Sequence, residues 1–346
     1  LLYDGVVDAA APGGPDAGGQ HDESTPWHDP NCTEILQPAN FFALGQEIII
    51  VLDRSAPMQA AFPGASSKQS AVQQALYDTI GAVQSRVRFG LELFPGDANG
   101  GSGSCYHNTC CAGDFAVYPE TYALSDIGGY LLCSDQAACS SESTDSPAHK
   151  ALEQVLRFVS NRFRWSDPRV QSSYVLLIAG TEPSCASEAG NGDTCPAKAV
   201  AAQLNNYDVP IVVVTVGYDP KSNPSSSCLV QLSKSGSPSP DRLNTPSSYS
   251  ALKDTLTGLF KSAAKKSCTF MTYDIIPDFA DLNVSMGGPP LPKDGPEGWS
   301  FDGSDRNRIK LGDKACDQFI GSANRTVTVS YQCFTCEGAK ACPVHN

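Results

Sequence analysis

The run Glu47-Ile48-Ile49-Ile50-Val51-Leu52 is apolar at every position after the first. Successive strand residues face opposite sides of a sheet, so an unbroken β-branched run predicts a strand covered on both faces. Val72, Leu76, Ile80 and Val83 then recur at helical spacing, which predicts a helix over 66–84. Val87 to Phe94 reads as a second strand, and Ala148, Leu152, Val155, Val159 and Phe163 as the stripe of a second helix. Tyr174 to Ile178 is a third core strand, Pro196 to Asn206 a helix, and Ile211 to Val216 a fourth strand closed by Gly217. Leu252, Leu256, Leu259 and Ala263 mark a last amphipathic helix. Strands alternating with helices form βαβ units, so the predicted fold is α/β: a doubly wound, mostly parallel sheet with helices on both faces. The loops leave room for short edge strands.

After Lys266 the period changes. Cys268–Ile275, Leu282–Met286, Arg308–Leu311 and Thr326–Tyr331 are short strand-like pieces separated by Gly, Pro and Asp clusters. They predict a small all-β, sandwich-like module. Residues 1–31, rich in Pro, Gly, Ala and Asp, show no apolar period and read as a flexible leader. The expected organisation is therefore a leader over 1–31, an α/β domain over 32–266 and a Cys-rich β module over 267–346. No stretch of the chain approaches the run of about 18 apolar residues that a spanning helix requires.

Charge and cysteine content narrow the function. Lys and Arg number 24 against 37 Asp and Glu, a net charge of −13, which excludes nucleic acid as the main partner. Fourteen cysteines accompany only five His, which favours disulfides over metal clusters and points to an exported chain. Cys133/Cys139 and Cys185/Cys195 are close enough in sequence to staple single loops, and adjacent Cys110 and Cys111 are expected to bond to different partners. Cys268, Cys316, Cys333, Cys336 and Cys342 would staple the β module.

Ligands of parallel sheets bind at the carboxyl ends of the strands. There the first core strand runs into Asp53-Arg54-Ser55-Ala56-Pro57-Met58. An apolar strand ending in Asp-x-Ser resembles the start of a von Willebrand factor type A domain. That family holds a divalent cation at a metal-ion-dependent adhesion site made of an Asp and two Ser from this loop, a Thr from a second loop and an Asp at the end of a later strand. Carried onto this chain, Asp53 and Ser55 match, and Pro57 stands where the second Ser belongs. Ser146, in Ser146-Pro147-Ala148, replaces the Thr; in Ile178-Ala179-Gly180-Thr181-Glu182-Pro183 no Asp is present, and Glu182 is the nearest carboxylate. The resemblance thus implies a degenerate metal site of Asp53, Ser55, Ser146 and Glu182, with no cofactor or a weakly held Mg²⁺ or Ca²⁺. Beside this stand plainer roles: Asp53 caps the following turn or pairs with Arg54, and Ser146 with Pro147 forms the start of a helix.

The resemblance spans about 32–266. Cys32, the Cys-rich loop after Phe94, the Glu182-Pro183-Ser184-Cys185 turn, and in the tail Gly298-Trp299 and Ala315-Cys316, are similar to exported myxobacterial-type surface proteins of this family, a gliding-motility adhesin lipoprotein among them. It implies a non-enzymatic adhesion or protein-interaction role at the cell surface, outside the cell or on the outer membrane of a bacterium. The implied partner is a protein or surface glycan, with a lipid anchor beyond the amino end. A structural subunit of an extracellular assembly, pairing with copies of itself or other subunits, is the alternative.

Other chemistry has less behind it. Cys333-x₂-Cys336-x₅-Cys342-x₂-His345 carries zinc-type ligands, yet in an oxidised chain it reads as a disulfide loop. Ser146 and His149 would be the nucleophile and base of a hydrolase, but no third group is evident to orient the His. No Gly-x-Ser-x-Gly, His-Glu-x-x-His or phosphate-binding loop occurs. Trp299 is read as a packing residue, with a contact role if exposed.

Overall fold

The structure, a computed structural model, describes residues 32–96, 110, 115–132, 143–163, 170–184, 195–222, 227–235, 242–273, 282–303, 306–322, 325–336 and 339–340. Strands β1 (Cys32–Ala39) and β2 (Phe42–Ala43) precede the core. The core continues through β3 (Gly45–Asp53), α1 (Lys68–Ile80), β4 (Val87–Phe94), β5 (Phe115–Glu120), α2 (Leu124–Leu131), α3 (Ala148–Phe163) and β6 (Val170–Ala179). It closes with α4 (Ala197–Asn205), β7 (Ile211–Thr215), α5 (Cys228–Ser235), β8 (Leu243–Asn244) and α6 (Tyr249–Lys266). The remainder holds β9 (Thr269–Met271), β10 (Leu282–Ser285), β11 (Trp299–Phe301), β12 (Arg308–Leu311), α7 (Asp313–Ile320), β13 (Thr328–Cys336) and β14 (Ala339–Lys340).

Six strands form one sheet in the order β5-β4-β3-β6-β7-β8, with only β5 antiparallel. The fold is α/β and mostly parallel, as the alternation of elements predicts. The run from Ile48 to Leu52 is buried on both sides. Ile48, Ile50 and Leu52 enter one core with Val72 and Leu76 of α1 and Leu252, Leu256 and Phe260 of α6. Ile49 and Val51 enter the other with Leu152 and Val155 of α3, Val200 and Leu204 of α4, and Leu229 of α5. The two-residue period of the strand thus divides one apolar run between two helical layers. Ser67 caps α1 in a reciprocal pair with Ser70, and Ser248 caps α6 by accepting from the Ala251 N–H.

The later segment forms antiparallel sheets: β11-β12-β9-β2 in one, and β10 against β13 in another. Leu44 N–H donates to the Thr269 carbonyl, so the residues leading into β3 are pinned to β9. Helix α7 has no counterpart among the predicted elements. Its Cys316 bonds to Cys268 just ahead of β9, as the stapling of this module requires. Trp299 is buried and packs edge-on against Phe301, in keeping with a packing role. The described residues fall into two compact units, one within 38–331 and one that combines residues before 38 with residues after 331; in the latter β14 pairs with the end of β13.

One expected pairing is corrected. Cys195 bonds to Cys228, not to Cys185, because the starts of α4 and α5 lie side by side and bring their Cα atoms to 5.1 Å. The leader, Cys133/Cys139, Cys111 and the Cys342/His345 end of the zinc-type spacing lie outside the described residues.

Candidate functional site at the carboxyl end of the sheet

From β3 the chain crosses to β4 on one side, and from β6 it crosses to β7 on the other. The carboxyl ends of β3 and β6 therefore frame the topological switch point, where such folds open a crevice. Asp53 ends β3, Gly180 follows β6, Ser146 precedes α3, and Lys68 opens α1. Asp53, Ser55 and Ser146 meet there, and all three are 0% exposed.

The carboxylate of Asp53 is the hub. Oδ1 accepts the Ser55 N–H at 2.9 Å, the turn-capping role open to it from sequence. Oδ2 accepts the Ser146 hydroxyl and the Gly180 N–H, each at 3.3 Å. Burial pushes the Asp53 carboxyl above its usual range, and the hydrogen bonds donated by Ser55, Gly180 and Ser146 pull against that rise. Ser55 Oγ is buried, with no hydrogen-bond partner among the described residues. Arg54 turns away, its Nε donating to the Pro95 carbonyl at 2.8 Å.

Ser146 is fixed from two sides. Its N–H donates to Ser184 Oγ at 2.6 Å and its carbonyl accepts the Ser184 N–H at 3.0 Å. This clamp ties the entry of α3 to the loop after β6. The Ser146 hydroxyl goes to Asp53, while His149 is buried in the first turn of α3.

Glu182 shares no hydrogen-bond partner with Asp53. Oε1 accepts the Tyr218 hydroxyl at 3.0 Å and the Ser227 hydroxyl; Oε2 accepts the N–H groups of Cys228 at 2.9 Å and Leu229 at 3.3 Å. The carboxylate thus sits on the amino end of α5, where orphan N–H groups and the helix dipole favour an anion. Burial and the Glu182 charge push the Tyr218 phenol up to about 12.

Sequence reasoning passed over Lys68. Its Nζ donates to the Gly180 carbonyl at 2.9 Å, and the residue is only 8% exposed. Burial pushes the ammonium down while Asp53 pushes it up. Its chain crosses the ends of β6 and β7, where glycine makes the space. A Cβ at Gly217 would stand 2.8 Å from Lys68 Cε, and one at Gly180 would run into Met58 Sδ. One signal was present: Lys68 follows the cap Ser67 directly, and a cation in the first turn opposes the helix dipole. A lysine there needs a compensating partner.

No protein-family model matches the chain, and no curated protein matches it. Among solved structures it is similar to proximal thread matrix protein 1 of the mussel byssus, at 16% identity and a TM-score of 0.39 over 67% of this chain. The chain spans about half of that protein, 48% of its length. It is also similar to the pilus adhesin SpaC of Lactobacillus rhamnosus GG, at 11% identity and a TM-score of 0.46, covering 89% of this chain and 42% of that one. Manganese-loaded TRAP protein of Plasmodium vivax matches at 11% identity and a TM-score of 0.42, covering 67% of this chain and 78% of that one. Likenesses this distant leave the functional reading to the chain's own residues.

Proposed function

We propose that the chain is an exported, non-enzymatic recognition protein of the von Willebrand factor type A kind that binds a protein partner at a cell surface. The observation that carries this reading is the edge of the sheet at β5. Of six large apolar side chains exposed among the described residues, Tyr118, Tyr122, Tyr130 and Leu132 lie on or just after β5 and α2. A fifth, Tyr77 of α1, packs its ring over Gly128 of α2. Tyrosine is the residue type that interfaces concentrate, since a rigid ring with a polar tip gains contact area at little entropic cost. Tyr118 is pre-set by stacking on Phe115 at 5.4 Å, which lowers the cost of ordering it on binding. Tyr122 stands at φ 59°, a region that bulky residues avoid and that clusters at ligand clamps. The disulfides Cys195–Cys228 and Cys268–Cys316 support an oxidising compartment, consistent with a bacterial cell surface or the space outside it. The division into a 1–31 leader, a 32–266 domain and a 267–346 module is part of this reading.

The test uses fluorescently labelled protein on intact cells of the producing organism, read by flow cytometry. Saturable binding is expected, and the combined variant Tyr118→Ala, Tyr122→Ala and Tyr130→Ala is expected to lose at least ~10-fold in affinity at unchanged Tm, since interface tyrosines of this kind each carry about 1 kcal/mol or more. Equal binding by variant and parent rejects the tyrosine edge, and a lack of binding by either rejects surface recognition. A second reading, a subunit of an extracellular assembly, draws on the position of β5 at the end of the sheet order. Mass measurement of the native protein in solution separates a monomer from an assembly.

A further inference from the structure

The resemblance to type A domains implies a divalent cation where Asp53, Ser55 and Ser146 meet, and the residues present do not fit one. Mg²⁺ demands near-octahedral oxygen ligation, and affinity for such ions grows with the number of carboxylates. Here one carboxylate is available, and both its oxygens already accept hydrogen bonds from within the protein. Position 57 is Pro and offers no side-chain oxygen. The carboxylate of Glu182 is held at α5 by four donors.

A positive charge is already in the crevice. Lys68 Nζ donates to the carbonyl of Gly180, and the N–H of the same residue donates to Asp53 Oδ2. The two opposite charges thus bracket one glycine, and the backbone dipoles of Gly180 lie between them with their favourable ends outward. The alkyl chain that brings the ammonium in needs bare backbone at the end of β7, and Met58 needs it at the end of β6. Gly217 supplies the first at φ +59°, where a side chain would be strained as well as crowded, and Gly180 the second. Desolvating a lone carboxylate or a lone ammonium is costly, and each is relieved here by a backbone group of Gly180 and by the opposite charge beyond it.

We propose that the Lys68 ammonium is the resident cation of this crevice, so that Asp53, Ser146, Gly180 and Lys68 form a metal-free latch joining β3, β6, α1 and the entry of α3. The latch holds the carboxyl-end loops rigid without an ion, and chelators leave it intact. This inference stands apart from the surface-recognition reading: it holds or fails whatever partner the tyrosine edge binds.

The experiment has two arms on the full chain. Calorimetric titration of the parent protein with Mg²⁺ or Mn²⁺ into the millimolar range is expected to give no saturable heat, and Tm is expected to be equal in Mg²⁺ and in EDTA. Saturable binding that Asp53→Ala abolishes would overturn the proposal. In the second arm, Lys68→Met is expected to lower Tm by a few degrees, about 2–5 °C, less than for a directly bonded buried pair because Lys68 and Asp53 meet through Gly180. Adding Asp53→Asn to it is expected to restore at least half of that loss, because no uncompensated charge remains. Losses that simply add in the double variant would overturn the proposal. If Lys68→Met does not fold, the metal titration of the parent protein decides on its own.

Discussion

Glu182 is the residue whose sequence role and structural role differ most, and its removal gives the sharpest test of the local physics. Its carboxylate accepts from the N–H groups of Cys228 and Leu229 and from the hydroxyls of Tyr218 and Ser227. A side-chain cap on a helix start contributes about 1 kcal/mol, and hydrogen bonds to a charged acceptor about 1.5–3 kcal/mol each. These do not simply add, because Glu182 is half-buried and water reaches the donors once the carboxylate is gone. Glu182→Ala is therefore expected to cost about 2–3 kcal/mol. Glu182→Gln keeps one acceptor and the shape but loses the attraction to the helix dipole, and is expected to cost about 1 kcal/mol. Urea unfolding would show the loss as a lower midpoint at unchanged slope. Native-state hydrogen exchange would show faster exchange at the Cys228 and Leu229 amides. In Glu182→Ala the Tyr218 phenol, now held at about 12 by burial and by this carboxylate, moves down toward its ordinary value. The same stability loss is expected in Mg²⁺ and in EDTA. A Glu182→Ala protein within about 0.5 kcal/mol of the parent would refute the capping argument, and a loss seen only in Mg²⁺ would return Glu182 to a cation.

The remaining expectations concern stability. The hydrogen bond from Lys253 holds the Asp78 carboxyl below its ordinary value of 3.8, with Gln74 and Tyr249 adding to it. A depressed folded pKa gives stability that is full above the ordinary value and is lost as pH falls through the folded one, so Asp78→Asn should flatten the acid limb of Tm against pH. The pair is exposed, so the difference should be small and shrink further in high salt. Replacing Cys195 and Cys228 together by Ala opens a loop of 33 residues and should cost about 3–4 kcal/mol in urea unfolding. A loss below about 1 kcal/mol would mean that packing at the starts of α4 and α5 holds the two helices without the bond.

The fold was legible where local pattern and tertiary role agree. Ile48 to Leu52 can be buried on both faces only in the middle of a covered sheet, and β3 is there. The start of α3 was legible because Pro147 cannot lie inside a helix but fits its first turn. Helix α2 was not, since Gly128 and Gly129 weaken any helical signal. It forms because Ile127 and Leu131 are buried, and Gly128 has no side chain to clash with the Tyr77 ring. Helix α7 was hidden in the same way: eight residues with only Ala315, Cys316 and Phe319 turned inward resemble a polar loop until Cys316 is bonded to Cys268.

The candidate site divides along the same line. Asp53 and Ser55 are neighbours in sequence, so a motif finds them. Ser146 is found by its position before Pro147. Lys68 and Gly180 are 112 residues apart, and meet because β6 pairs with β3 and α1 packs against that sheet. Glu182 and Cys228 are 46 apart and meet because β6 and β7 are adjacent. A motif records which residues a site contains, while the charge balance that decides what the site can hold comes from long-range packing. A chain that keeps the Asp and Ser of a cation site and places a buried lysine behind them has kept the motif and changed the electrostatics. On the latch proposal, the residue at position 68 bears on metal binding as directly as Asp53 and Ser55, since its charge is one that any incoming cation must meet.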